Sequence, residues 1–233
     1  MKNKGFTLAE VLITLAIIGV VAAITLPSFL SDTTAAQIGP KLSKAVSAFE
    51  QANEALLAAS SVDLLTDTDV FPADSNGSVD LTSYGEELSN HLKITEFTYP
   101  ENGYNAIDNS EEDSCEVGAS FDEAKAFLSK DGIMYLINKD QAPSDPSAAP
   151  HKQRIGNVYI DINGVSTPNE MGTDIFVFTW WNDGSLRPVG AQNWNGLSTA
   201  PTWRTLCPAN DIPTDYKACA GHVFENNLKV SYK

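Results

Sequence analysis

The sequence predicts an α+β fold: a long N-terminal helix, its first half membrane-spanning, packed by its second half on an antiparallel β-sheet. Three observations carry that expectation. From Phe6 to Leu26 the chain runs 21 residues with one ionisable group, Glu10. From Leu42 to Leu57, apolar residues recur at helical spacing. From Gly132 to Val189, apolar runs alternate with short Asp-Gly turns, the signature of consecutive antiparallel strands.

The apolar run comes first. As a helix, 21 residues rise about 30 Å, which matches the hydrocarbon thickness of a bilayer. Lys2 and Lys4 precede it, and no further lysine or arginine follows until Lys41. That asymmetry places the N-terminus in the cytoplasm and the rest of the chain outside. A cleaved secretory signal is the alternative, with Thr34-Ala35-Ala36 as a tolerable cleavage site. Against it, the run exceeds a typical signal core and carries an acid near its head. Pro27 lacks an N–H and its ring crowds the carbonyl four residues back, while Gly19 weakens helix upstream. Residues 19–27 are therefore the expected place for a kink or for melting.

Past the span, Gly39-Pro40 is a weak point. The segment "KLSKAVSAFEQANEALLAAS" then aligns Leu42, Ala45, Val46, Phe49, Ala52, Leu56 and Leu57 on one face. A helix from about residue 6 to about residue 59 would extend ~80 Å. Residues 61–115 read as polar and turn-rich, with a short helix in "LTSYGEELSNHLK" and an acidic loop in "NSEEDSCEVG". Strands are expected at 132–138, 154–163, 174–181 and 185–189, with turns at Lys130-Asp131-Gly132 and Asn182-Asp183-Gly184. A proline-rich loop, 140–153, lies between two of them, and the last residues read as a strand or a short helix and strand. The segments are then 1–5, 6–30 (span), 31–60 (amphipathic helix) and 61–233 (globular domain).

Charge narrows the function. With 30 acidic against 15 basic residues the net charge is −15, which disfavours direct nucleic-acid binding. Three cysteines in an exported chain fit one disulfide and one remaining thiol. Cys207–Cys219, enclosing eleven residues that include Pro208 and Pro213, is the favoured pair, although spacing leaves a bond to Cys115 open.

"DINGVSTPNEMGTD" brings Asp161, Asn163, Glu170 and Asp174 around three turn-forming residues. Hard oxygen donors at that density suit calcium, yet EF-hand spacing is not met and a plain Asp-Asn-Gly turn explains the same residues. No other cofactor is indicated. No nucleophile elbow, zinc-protease helix or phosphate loop occurs, and His91, His151 and His222 read as surface or turn histidines. Trp180, Trp181, Trp194 and Trp203 suit either the core and edges of the sheet or a sugar-binding or intersubunit surface. An enzyme is not expected.

The head of the chain, Lys4-Gly5-Phe6-Thr7-Leu8-Ala9-Glu10, resembles the type IV prepilin signal shared by pilins and type II secretion pseudopilins. The resemblance implies that a membrane peptidase cuts between Gly5 and Phe6 and methylates the new N-terminal Phe6. It makes Glu10 the fifth mature residue. An ionised carboxylate in hydrocarbon costs roughly 2.5–3.5 kcal/mol on insertion scales. The freed amine of a neighbouring copy removes that penalty, so Glu10 is expected to set intersubunit register, with Thr7 as a hydrogen-bonding helper. The implied role is a structural subunit of a pilus-like filament, made of this chain alone or mixed with other pilin-like subunits. Its implied partners are the prepilin peptidase and membrane-embedded assembly machinery. A pseudopilin of a type II secretion or DNA-uptake system is the alternative, and a monomeric anchored binding domain a more distant one. The resemblance also raises calcium slightly, since some pseudopilins hold it in an outer loop.

Overall fold

The computed structural model describes residues 7–71, 81–97, 125–139, 153–166, 169–189, 203–208 and 218–228, and the side chains of 26–35, 97, 139, 203 and 205 are outside that description. The expected acidic loop with Cys115, the proline-rich loop with His151, Trp194, and the pair Gly5 and Phe6 lie outside the described residues, as does the side chain of Trp203. The chain divides into two units, Met1–Gln37 and Ile38–Lys233.

The first helix, α1 (Leu8–Ser60), is helical through Gly19 and Pro27 and contributes to both units. Its C-terminus closes as a Schellman motif. Ser61 takes a left-handed φ of 56°, its N–H reaches the Ala58 carbonyl at 3.2 Å, and the Val62 N–H reaches that of Leu57 at 3.1 Å. The two otherwise orphaned carbonyls are thereby satisfied.

In the unit from Ile38, a 3-10 turn at Leu65–Asp67 and helix α2 (Leu81–His91) precede the sheet. Six antiparallel strands then follow in chain order: β1 (Ile94–Phe97), β2 (Lys125–Ser129), β3 (Met134–Lys139), β4 (Arg154–Asp161), β5 (Ile175–Trp181) and β6 (Leu186–Pro188). The expected strands correspond to β3–β6. The Lys130-Asp131-Gly132 and Asn182-Asp183-Gly184 turns join β2 to β3 and β5 to β6, with Gly132 at φ 81° and Gly184 at φ 82°. Strands β1 and β2 were not anticipated. The chain closes with two short helices, α3 (Trp203–Leu206) and α4 (Cys219–Glu225), so the described part of the C-terminal segment is helical.

Both faces of the sheet are covered. Pleating sends Phe127, Tyr135, Ile160 and Phe176, which are register partners in series, to one face. There they meet Leu42, Ala45, Phe49 and Leu56 of α1, the anticipated stripe. The opposite face carries Ala126, Leu136, Tyr159 and Val177, packed with Met171, Cys207, Ala218 and Cys219. Two-sided burial explains why "IFVFTWW" reads as a continuous apolar run instead of alternating.

Trp180, fully buried, is the hub of an aromatic cluster: Tyr84, Phe71 and Phe49 stand 5.0, 5.4 and 6.0 Å from its ring. It belongs to the core and not to a sugar-binding surface. Polar ties then fix the sheet to α1. Asn53 donates Nδ2 to the Gly184 carbonyl at 3.1 Å and accepts from the Tyr84 hydroxyl at 2.6 Å. One helical turn earlier, Glu50 accepts the Leu186 N–H at 2.9 Å.

Candidate functional site

From Leu8 to Thr25, α1 is apolar and long enough to cross a membrane, and none of that window is buried in the structure. Its large side chains all stand exposed, Leu8 at 78% and Ile24 at 72%. In a protein folded in water such a stripe would be hidden, so it requires lipid or other protein around it. Glu10 is the one ionisable side chain within this window.

The carboxylate is not left bare. The Thr7 N–H and hydroxyl both donate to Glu10 Oε2, at 2.8 and 2.9 Å, and the Glu10 N–H points at Thr7 Oγ1 at 3.3 Å. This reciprocal arrangement is a capping box, in which N-cap threonine and the residue three later satisfy each other's orphan groups. A negative charge at that position also complements the positive end of the helix dipole. Thr7 was expected as a helper to Glu10; the capping box gives that help an intramolecular form. The T-x-x-E pattern ahead of an apolar run was a readable sign of it.

A family model for the prokaryotic N-terminal methylation motif matches residues 1–26. Those residues are the prepilin-type signal of type IV pilins and pseudopilins. No curated protein and no solved structure matches the chain. The prepilin signal covers Gly5, Phe6, Thr7, Glu10 and Gly19 but stops one residue short of Pro27.

The other sequence-derived sites belong to the unit from Ile38. Cys207 and Cys219 are joined as a disulfide with Cα atoms 5.2 Å apart, both fully buried. The bond ties α3 to α4, and an Arg204–Glu225 ion pair joins the same helices, with Nε 3.0 Å from Oε2. His222 is buried on α4; desolvation holds its pKa below the ordinary value, while the Cys207 backbone and Glu225 pull it up. His91 ends α2 with Nε2 3.7 Å from a Glu87 oxygen.

The Asp161–Asp174 loop is built as a hydrogen-bonded turn. Asp174 accepts the Asn163 side-chain amide at 3.0 Å and the N–H groups of Asn169 and Glu170 at 2.8 and 2.6 Å. Asp161 Oδ1 accepts the Asn163 N–H at 2.9 Å. Burial pushes the Asp174 carboxyl above its usual range and the donors partly offset this. Among the described residues no three His, Cys, Asp or Glu side chains gather to hold a metal. Of the four sequence-derived donors, Asn163 touches both Asp161 and Asp174, and the Asp174 oxygens accept N–H groups.

Proposed function

We propose that the chain is a structural subunit of a type IV pilus-like filament, assembled through α1 after its leader is cut between Gly5 and Phe6. One observation carries this reading: a single carboxylate, Glu10, stands in an otherwise uncharged, fully exposed membrane-length helix headed by a prepilin-type signal. Such a helix has two environments available, lipid and the apolar faces of like helices.

In lipid the subunit waits with Lys2 and Lys4 on the cytoplasmic side and the unit from Ile38 outside. Thr7 then serves as the internal partner of Glu10. Cleavage creates a new cation, the amine of Phe6, which the peptidase methylates. A methylated secondary amine keeps its positive charge, so it can meet Glu10 of an adjacent copy. Exchange of neutral Thr7 donors for that charged donor favours the assembled state and sets its stagger, because charge-assisted hydrogen bonds are roughly twice as strong as neutral ones. Residues 19–27 unwind as α1 passes from bilayer to filament. Residues from Ile38 onward form the filament surface, and their acidity keeps that surface soluble.

The same observation supports a pseudopilin of a type II secretion or DNA-uptake system, which shares the head and its chemistry. Mass spectrometry of the N-terminal peptide from the native membrane tests processing for both. The expected peptide begins at Phe6 and carries one methyl group. An intact Met1 terminus would overturn the assembly reading in favour of a plain anchor.

A further inference from the structure

We propose that the disulfide-anchored C-terminal turn is a backbone clamp on the first turn of α1 within the folded unit, Ile38–Leu42. The contact is unusually close. A Cβ at Gly39 would lie 1.9 Å from the Leu228 carbonyl oxygen and 2.5 Å from both the carbonyl carbon and Cβ of Leu228. Backbone atoms cannot step aside as a flexible side-chain tip can. Gly39 thus permits an approach that any other residue forbids.

The opposing jaw is held in an uncommon conformation. Asn227 and Leu228 both adopt left-handed φ values, 52° and 62°. Asparagine tolerates this region, whereas leucine stays there only when its surroundings dictate it. Here the Leu228 N–H donates to the Val223 carbonyl at 2.8 Å and the Asn226 N–H to that of His222 at 2.9 Å, closing α4 as a Schellman-type turn. Helix α4 is itself fixed three ways. Cys219 is bonded to Cys207, Glu225 pairs with Arg204, and the Phe224 ring stands edge-on to Phe178 at 6.0 Å. Ala220 and Val223 share a core with Ile38 and Leu42. Strain at Leu228 is therefore borne by the disulfide-tied helix pair and delivered against Gly39.

The clamp gives α1 a defined place where local opening stops. It is a property of the subunit itself and stands or falls independently of filament assembly. Hydrogen exchange followed by mass spectrometry on the full chain in detergent micelles tests it, using Gly39→Ala and the pair Cys207→Ala/Cys219→Ala. In each variant, exchange of amides over residues 38–46 is expected to rise about tenfold or more beyond any rise over 50–58. Unchanged protection at 38–46 in either folded variant overturns the clamp. So does loosening of 219–228 alone in the cysteine pair, or an equal rise across all segments, which is general destabilisation. Should Gly39→Ala fail to fold, the cysteine pair decides by the same readout.

Discussion

Asn53 shows how one residue holds three elements. It lies on α1, fully buried, with its amide divided between the Tyr84 hydroxyl and the Gly184 carbonyl. Tyr84→Phe leaves Asn53 Oδ1 without that donor in a dry site, so a loss of about 1–3 kcal/mol is expected in denaturant unfolding. A change within a few tenths would mean that water replaces the phenol. Gly184 is tightly constrained: at φ 82°, an added Cβ would sit 2.8 Å from Asn53 Cβ. Gly184→Ala is expected to cost about 1–3 kcal/mol by the same measurement, through the turn and without altering the membrane segment. Unaltered stability would show that the turn relaxes freely. These ties join residues 31 and 131 positions apart, which is why no local pattern announced them. Thr7 and Glu10, three positions apart, form the opposite case, since their pairing is written in a four-residue word.

At the scale of elements, α4 concentrates the chemistry of the C-terminal part. Opening the Cys207–Cys219 bond, whose partners are 12 positions apart, is expected to cost about 2–4 kcal/mol. Thermal unfolding of the double alanine variant reads this, and no loss would mean that the reduced chain keeps the same constraint. His222 adds pH dependence. Its folded pKa is depressed by burial, so the unfolded chain binds the proton first as pH falls. Stability should hold above an unfolded value near 6.5 and decline below it until the folded pKa is reached. His222→Asn should flatten that decline, and an unaltered slope would assign it elsewhere. Asp174 acts with the opposite sign: its raised pKa means stability falls as pH rises from the unfolded carboxylate value through the folded one.

Element by element, legibility followed local signal. Strands β3–β6 showed apolar runs and Asp-Gly turns. Strands β1 and β2 are four and five residues long, "ITEF" and "KAFLS", with charge or hydroxyl interleaved and a long intervening segment in place of a short hairpin turn. β2 pairs with β3 across the Lys130-Asp131-Gly132 turn, whereas β1 pairs with β2 across a gap of 27 residues, a non-local cause. The Asp-rich loop was ambiguous because oxygen donors and turn-formers are the same residue types; in the structure Asp174 accepts the Asn163 amide and the N–H groups of Asn169 and Glu170, as a turn-former does.

On the scale of the molecule, two environments meet on one chain. The span from Leu8 to Thr25 is exposed along its length, whereas α1 from Ile38 onward is built into the core of a folded unit. A fragment of residues 31–233 is accordingly expected to be soluble without detergent and to unfold in one transition by circular dichroism. Aggregation of the fragment would show that the span also supports the fold. The head was legible because its function is local, resting on lysines, a glycine, an acid and an uninterrupted apolar run.

Filament yield from the native host carrying Glu10→Gln tests the central claim most directly, since glutamine keeps the shape and a hydrogen-bonding capacity toward Thr7 but removes the charge. The chain should be inserted and trimmed as before, while assembled filaments fall about tenfold or more, the worth of one charge-assisted contact. Filaments in normal amount, with glutamine confirmed at position 10, would contradict it.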